Sequence, residues 1–124
     1  MNLLSRILQL CSGKTTESTS CGYKRISAVE VRDLLNTDAS ATIVDVRTEW
    51  EYREQHIAGS LLVPLTAITQ KAPVLLPNKQ AAIIVHCQSG FRSRHAARQL
   101  LAMGYTQVYD LGGITSWPYG TVSE

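Results

Sequence analysis

The chain alternates short apolar runs with stretches whose apolar residues recur at helical spacing. Ile26-Ser27-Ala28-Val29-Glu30-Val31 places a serine where an N-cap belongs and a glutamate where a capping box needs it, with Ile26 and Val31 set to form a hydrophobic staple. This predicts a helix running to about Leu35. Thr42 to Arg47 is β-branched and apolar until it meets charge, as a strand is when its carboxyl end emerges at the rim of a parallel sheet. Thr48-Glu49-Trp50-Glu51 repeats the capping pattern and opens a short helix. His56 to Ser60 turns the chain, and Leu61 to Val63 forms a short strand that Pro64 ends. Leu65 to Leu75 then gives a weak helix closed by Pro77-Asn78. Ala81 to His86, with β-branched Ile83, Ile84 and Val85, is a buried strand. It feeds a helix marked by Ala96, Ala97, Leu100 and Leu101 and ended by Gly104. Gln107 to Leu111 is the last strand, before Gly112-Gly113.

Strands alternating with helices call for a parallel sheet covered on both faces, with ligands bound outside the carboxyl ends of its strands. Cys87 stands at such an end. Between it and the next helix lies a loop containing Gly90, Arg92 and Ser93, so loop amides and the helix N-terminus can converge on the sulfur. That is an anion cradle with a thiol in it. The helix dipole and Arg92 both favour the thiolate, which is the reactive form. Cys87 is therefore the candidate nucleophile, and Arg92 the candidate partner for an anion.

Composition narrows the field. A chain of 124 residues with 44% hydrophobic content builds one domain with its own core, without metal or disulfide staples. A formal charge of +2 and an aromatic content of 6% give no electrostatic or stacking platform for nucleic acid. Three cysteines with no C-x-x-C and no histidines at ligand spacing indicate neither a disulfide framework nor a zinc site. A reducing, cytoplasmic setting fits best. No apolar run approaches the roughly 18 residues that span a bilayer. Leu3, Leu4, Ile7, Leu8 and Cys11 form one face of a short amphipathic segment, followed by a polar linker from Ser12 to Ser20. Ser5, Arg6 and Gln9 interrupt the apolar core that an export signal would need, so export is the minor alternative.

The stretch His86-Cys87-Gln88-Ser89-Gly90-Phe91-Arg92-Ser93 resembles the active-site loop of single-domain rhodaneses, the thiosulfate-type sulfurtransferases. Ile43-Val44-Asp45-Val46-Arg47, Glu51-Tyr52, His56-Ile57-Ala58-Gly59-Ser60, and Leu111-Gly112-Gly113 followed by Trp117 are similar to the family's other motifs, in the same order. Cysteine phosphatases also open their loop with His-Cys and close it with Arg-Ser, but that loop is one residue longer. The shorter loop makes a tighter cradle, suited to one terminal sulfur on cysteine rather than to a tetrahedral phosphate.

The resemblance implies a rhodanese-like α/β fold, with a central parallel β-sheet of about five strands and helices on both faces. The domain would cover residues 23–119, between the N-terminal segment 1–22 and a tail at 120–124. It also implies a sulfurtransferase that moves sulfane sulfur from thiosulfate or a similar donor to a thiophilic acceptor through a Cys87 persulfide, with no metal or organic cofactor. The partners would be a small anionic sulfur donor and a thiol or cyanide acceptor, or a protein sulfur acceptor, and no nucleic acid. A persulfide carrier or regulatory binding module needs the same loop and stays open as an alternative; a cysteine phosphatase or arsenate reductase is the weaker one.

By the same resemblance Gln88, Ser89, Gly90, Phe91 and Ser93 form the substrate-binding loop, with Gln88 and Phe91 shaping acceptor choice. Ser93 read by itself is a helix cap. Asp45 and Arg47 match a family pair near the rim of the site, where the aspartate orients the loop or the arginine binds an anionic donor, or the two form a plain salt bridge. His86 either supports the thiolate or satisfies a backbone group. His56 reads as a structural turn residue. Arg94, His95 and Arg98 either add positive potential at the mouth or, more simply, form a solvated helix face. Cys11 and Cys21 read as incidental thiols, with Cys21 able to attack a Cys87 persulfide only if the linker folds back.

Overall fold

Residues 22–124 are described by a computed structural model in which five parallel strands form one sheet. In chain order the elements are β1 (Lys24–Arg25), α1 (Ala28–Thr37), β2 (Thr42–Asp45), α2 (Glu49–Glu54), β3 (Leu61–Leu62), a 3-10 turn (Leu65–Ala67) leading into α3 (Ile68–Leu75), β4 (Ala82–Cys87), α4 (Phe91–Ala102), β5 (Gln107–Gly113) and a final 3-10 turn (Ile114–Ser116). The strand order is β1-β5-β4-β2-β3, which puts β4, the strand ending in Cys87, at the centre. The amphipathic N-terminal segment, the polar linker, Cys11 and Cys21 lie outside the described residues.

Local sequence signals account for most of these elements. Both capping boxes form: Ser27 Oγ accepts from Glu30 N at 3.1 Å while Glu30 Oε1 accepts from Ser27 N at 2.9 Å, and Thr48 and Glu51 do the same for α2. Gly104, at φ +100°, follows the Met103 C-cap of α4 in the left-handed conformation that ends a helix. Alternation along β4 sends Ile83 and Val85 into a core shared with Ala96, Ala97 and Leu100 of α4. Ala82 and Ile84 go to the opposite face with Val31 of α1 and Ile57. The central strand is thus buried on both faces, which explains its unbroken apolar run.

Several boundaries differ from the sequence reading for non-local reasons. β1 was not predicted; its two residues are strand only because they pair with Tyr109 and Asp110. β2 ends two residues early, because the Asp45 carboxylate takes the Arg47 backbone N–H at 3.0 Å and turns the chain off the ladder. β5 runs on through Gly112 and Gly113 by means of a register shift in which Val85 faces Asp110 and His86 faces Gly112. Residues 120–124 return to α2: Val122 bridges His56 and Glu124 N donates to Arg53 O at 3.0 Å.

Candidate active site

Cys87 ends β4 and is fully buried. Its Sγ accepts two backbone hydrogen bonds, from Gly90 N at 3.0 Å and from Ser93 N at 3.3 Å. The physical origin lies in the start of α4. Gly90, at φ +99°, is the N-cap and supplies no side-chain oxygen, so a first-turn amide that would ordinarily need a capping group is free to point at the sulfur. Sγ takes the place of the missing cap.

Ser93 therefore is not the helix cap that its residue type suggested. It is the third residue of α4, fully buried, and its hydroxyl donates back to Gly90 O at 3.2 Å, holding the loop that surrounds the sulfur. Gly113 fixes the other wall. A Cβ there would stand 2.5 Å from Gln88 O and 3.1 Å from Ser89 Cα, so the loop packs directly on the bare backbone of β5. Gln88, Ser89 and Phe91 are exposed around the opening.

Beneath the loop lies a sealed charge cluster rather than the rim pair that the sequence suggested. Asp45 and Arg47 are buried at 0% and 2% exposure. The Asp45 carboxylate accepts from Arg47 Nε at 3.0 Å and from Nη2 at 2.8 Å. The guanidinium goes on to donate to Gln55 O at 2.6 Å and to Gln88 Oε1 at 3.3 Å, tying β2 to the end of α2 and to the loop beside Cys87. His86 completes the cluster, with Nε2 3.5 Å from Asp45 Oδ2 and Nδ1 3.3 Å from Cys87 O. Burial pushes the His86 pKa below its ordinary value despite the neighbouring carboxylate, so its ring is neutral at neutral pH.

Arg92 lies in the first turn of α4, and its guanidinium engages a carboxylate that the sequence reading connects with Thr48 and with a family motif, but not with the Cys87 loop. Its Nη1 donates to Glu51 Oε1 at 2.7 Å and its Nη2 to Glu51 Oε2 at 3.0 Å. This bidentate contact, with help from the Thr48 amide and hydroxyl, holds the Glu51 carboxyl down at about 2. In turn Glu51 raises the pKa of Arg92. The place of Glu51 at the site, as the partner of Arg92, is what sequence reasoning missed. Its capping-box position was a visible signal, but nothing local pointed to a partner 41 residues away.

His56 has the structural role expected of it. Its ring stacks on Tyr52 with centroids 3.7 Å apart, and its backbone bridges Val122. Arg94, His95 and Arg98 lie exposed on α4, with the Arg94 guanidinium 5.3 Å from the Phe91 ring centroid.

A parallel sheet wrapped by helices on both faces, with a cysteine held by loop amides at the carboxyl end of its central strand, defines a rhodanese-type domain. The family profile described as rhodanese-like domain matches residues 27–118, and the chain belongs to that family. Among its relatives is the thiosulfate sulfurtransferase GlpE of Coxiella burnetii, 33% identical over 99 residues, which cover 77% of this chain and 87% of that one. The putative sulfur carrier protein YrkF of Bacillus subtilis is 31% identical over 106 residues, covering 85% of this chain and 56% of that one. Of solved structures, a rhodanese-related protein from Thermoplasma volcanium superposes with a TM-score of 0.70 at 30% identity, over 82% of this chain and all of that one (100%).

Proposed function

We propose that this protein is a sulfurtransferase that carries sulfane sulfur on Cys87. The observation that carries the reading is the pair of amide hydrogen bonds, from Gly90 and Ser93, that converge on Sγ at a helix start. An anionic sulfur is stabilised there by aligned backbone dipoles, without a neighbouring base. The Cys87 thiolate attacks the outer sulfur of thiosulfate or a similar donor. The donor's S–S bond breaks, sulfite leaves with the bonding electrons, and Cys87 becomes a persulfide. A thiol or cyanide then attacks the outer persulfide sulfur and the thiolate is regenerated.

Arg92, bordering the cradle, steers the anionic donor and offsets the charge gathering on the leaving group. Asp45 and Arg47 act through Gln88, holding the loop in place. Neutral His86 supports the Cys87 carbonyl and moves no proton. Gly90 and Ser93 shape the cradle, while Gln88, Ser89 and Phe91 form the surface that an acceptor meets. The cytoplasm is the compartment we assign, on the sparse and unpatterned cysteines; among the described residues no helix is long and apolar enough to cross a membrane.

The test is thiocyanate formation from thiosulfate and cyanide, which wild type should catalyse and Cys87→Ser should not. Equal rates in the two proteins would remove the assignment. A second reading, a sulfur carrier whose partner supplies the chemistry, draws on the similarity to YrkF. It predicts a Cys87 persulfide that forms in stoichiometric amount and does not turn over with small acceptors.

A further inference from the structure

The cation beside the cradle is already occupied. Both terminal nitrogens of Arg92 lie on the Glu51 carboxylate, at 2.7 and 3.0 Å. Glu51 is not a loose surface side chain that happens to meet an arginine. Its Oε1 also accepts from Thr48 N at 2.9 Å and from Thr48 Oγ1 at 3.1 Å, so the start of α2 holds the carboxylate against the start of α4. The pair is only partly buried, with Arg92 33% and Glu51 24% exposed, so solvent and a small solute reach it. Glu51 thus stands on the guanidinium as a built-in anion. An incoming donor must share Arg92 with it or displace it.

We propose that Glu51 is a positioning and donor-selecting residue, which masks the Arg92 charge and sets the site against doubly charged sulfur donors in favour of less charged ones. The inference rests on Cys87 as the sulfur-accepting group. The carboxylate fixes the fork of Arg92 in one orientation, and it removes most of the net positive field that a dianion would exploit. A singly charged donor needs less of that field and is impaired less. Glu51 does not touch Sγ and acts through the charge that Arg92 offers the donor, so the larger effect falls on KM and a smaller one on kcat.

Two donors with the same transferred atom provide the test. Thiosulfate, a dianion, loses its outer sulfur to Cys87 and releases sulfite. Methanethiosulfonate, a monoanion, loses its outer sulfur in the same way and releases methanesulfinate. Glu51→Gln keeps a capping-box residue at the start of α2 and deletes only the charge. Its KM for thiosulfate should fall about fivefold and its KM for methanethiosulfonate less than twofold, with kcat for each within about twofold of wild type. Glu51→Asp, which keeps the charge, should move the ratio of the two KM values back toward wild type. In an Arg92→Gln background the same Glu51→Gln change should give a smaller gain, because no guanidinium is released to the donor.

A thiosulfate KM that is unchanged or raised in Glu51→Gln overturns the proposal, as does a gain that is equally large without Arg92, or a Glu51→Asp variant as permissive as Glu51→Gln. The wild type supplies an independent reading. With Arg92 masked, kcat/KM for thiosulfate should fall less steeply with salt in the wild type than in Glu51→Gln, and equal slopes in the two would contradict the masking. A wild type that takes sulfur from neither donor would instead overturn the parent reading of Cys87.

Discussion

Two carboxylate–guanidinium pairs flank the Cys87 loop, alike in chemistry and different in setting. Asp45 and Arg47 sit two positions apart on one strand end, at 0% and 2% exposure, with each nitrogen of the fork donating to a carboxylate, a carbonyl or the Gln88 amide. Glu51 and Arg92 join two helices across 41 residues and remain 24% and 33% exposed. Burial decides what each pair can do. An ion pair shut away from water is hard to break, since either partner left alone is an uncompensated buried charge. A pair open to solvent is worth about 1 kcal/mol or less and can be remade around a ligand. The first is suited to fixing the loop, and the second to being opened by a substrate.

The largest effect should come from breaking the sealed pair. Asp45→Ala strands Arg47 in the core and is expected to destabilise the fold by about 3–5 kcal/mol, measured by denaturant unfolding. A loss near that of an exposed pair would erase the contrast between the two. Gly113→Ala comes next. Its Cβ would meet the backbone oxygen of Gln88 at 2.5 Å, which no side-chain rotation can relieve, so the loop must move. A cost of about 1–3 kcal/mol is expected, together with a drop in sulfur transfer at temperatures where the variant is folded.

Substitutions at the open pair should leave stability almost intact and act on substrate. Arg92→Ala is expected to lower kcat/KM for thiosulfate about tenfold, and Arg92→Lys less, because Lys restores charge without the fork; unchanged values in both would remove Arg92 from the site. The smallest effect concerns pH. The Glu51 carboxyl falls from 4.5 in its unperturbed state to about 2 in the fold. Its contribution to stability is therefore complete above about 4.5 and is lost as pH falls through 2, because the unfolded chain binds that proton first. Glu51→Gln should flatten that part of the acid unfolding curve by about 1 kcal/mol or less. An identical acid limb in wild type and variant would mean that the pair is not formed in solution.

The comparison also shows what could be read in the chain. Ser27 with Glu30, Thr48 with Glu51, and the β4–Cys87–α4 junction are local patterns, and each forms the element that its spacing predicts. The fold class followed from their alternation. What escaped depends on tertiary pairing. Asp45 and Arg47 look like a rim pair in sequence, since charge at a strand end usually meets water; only the return of Gln55 and Gln88 over them seals them in. Glu51 shows its local role as a helix cap and hides its second partner. Ser93 is a good capping residue by type, but the glycine at position 90 already starts the helix in the left-handed region and leaves Ser93 three residues past the cap. β1 has no strand signature of its own and exists by virtue of β5.

The central claim is that the sulfur cradled by Gly90 and Ser93 accepts and keeps one further sulfur atom. Intact mass after incubation with thiosulfate and removal of excess donor tests it most directly. Wild type should gain one sulfur, located to the Cys87 peptide and released by cyanide, while Cys87→Ser gains none. No gain in folded wild type, or an equal gain in both proteins, would contradict the account.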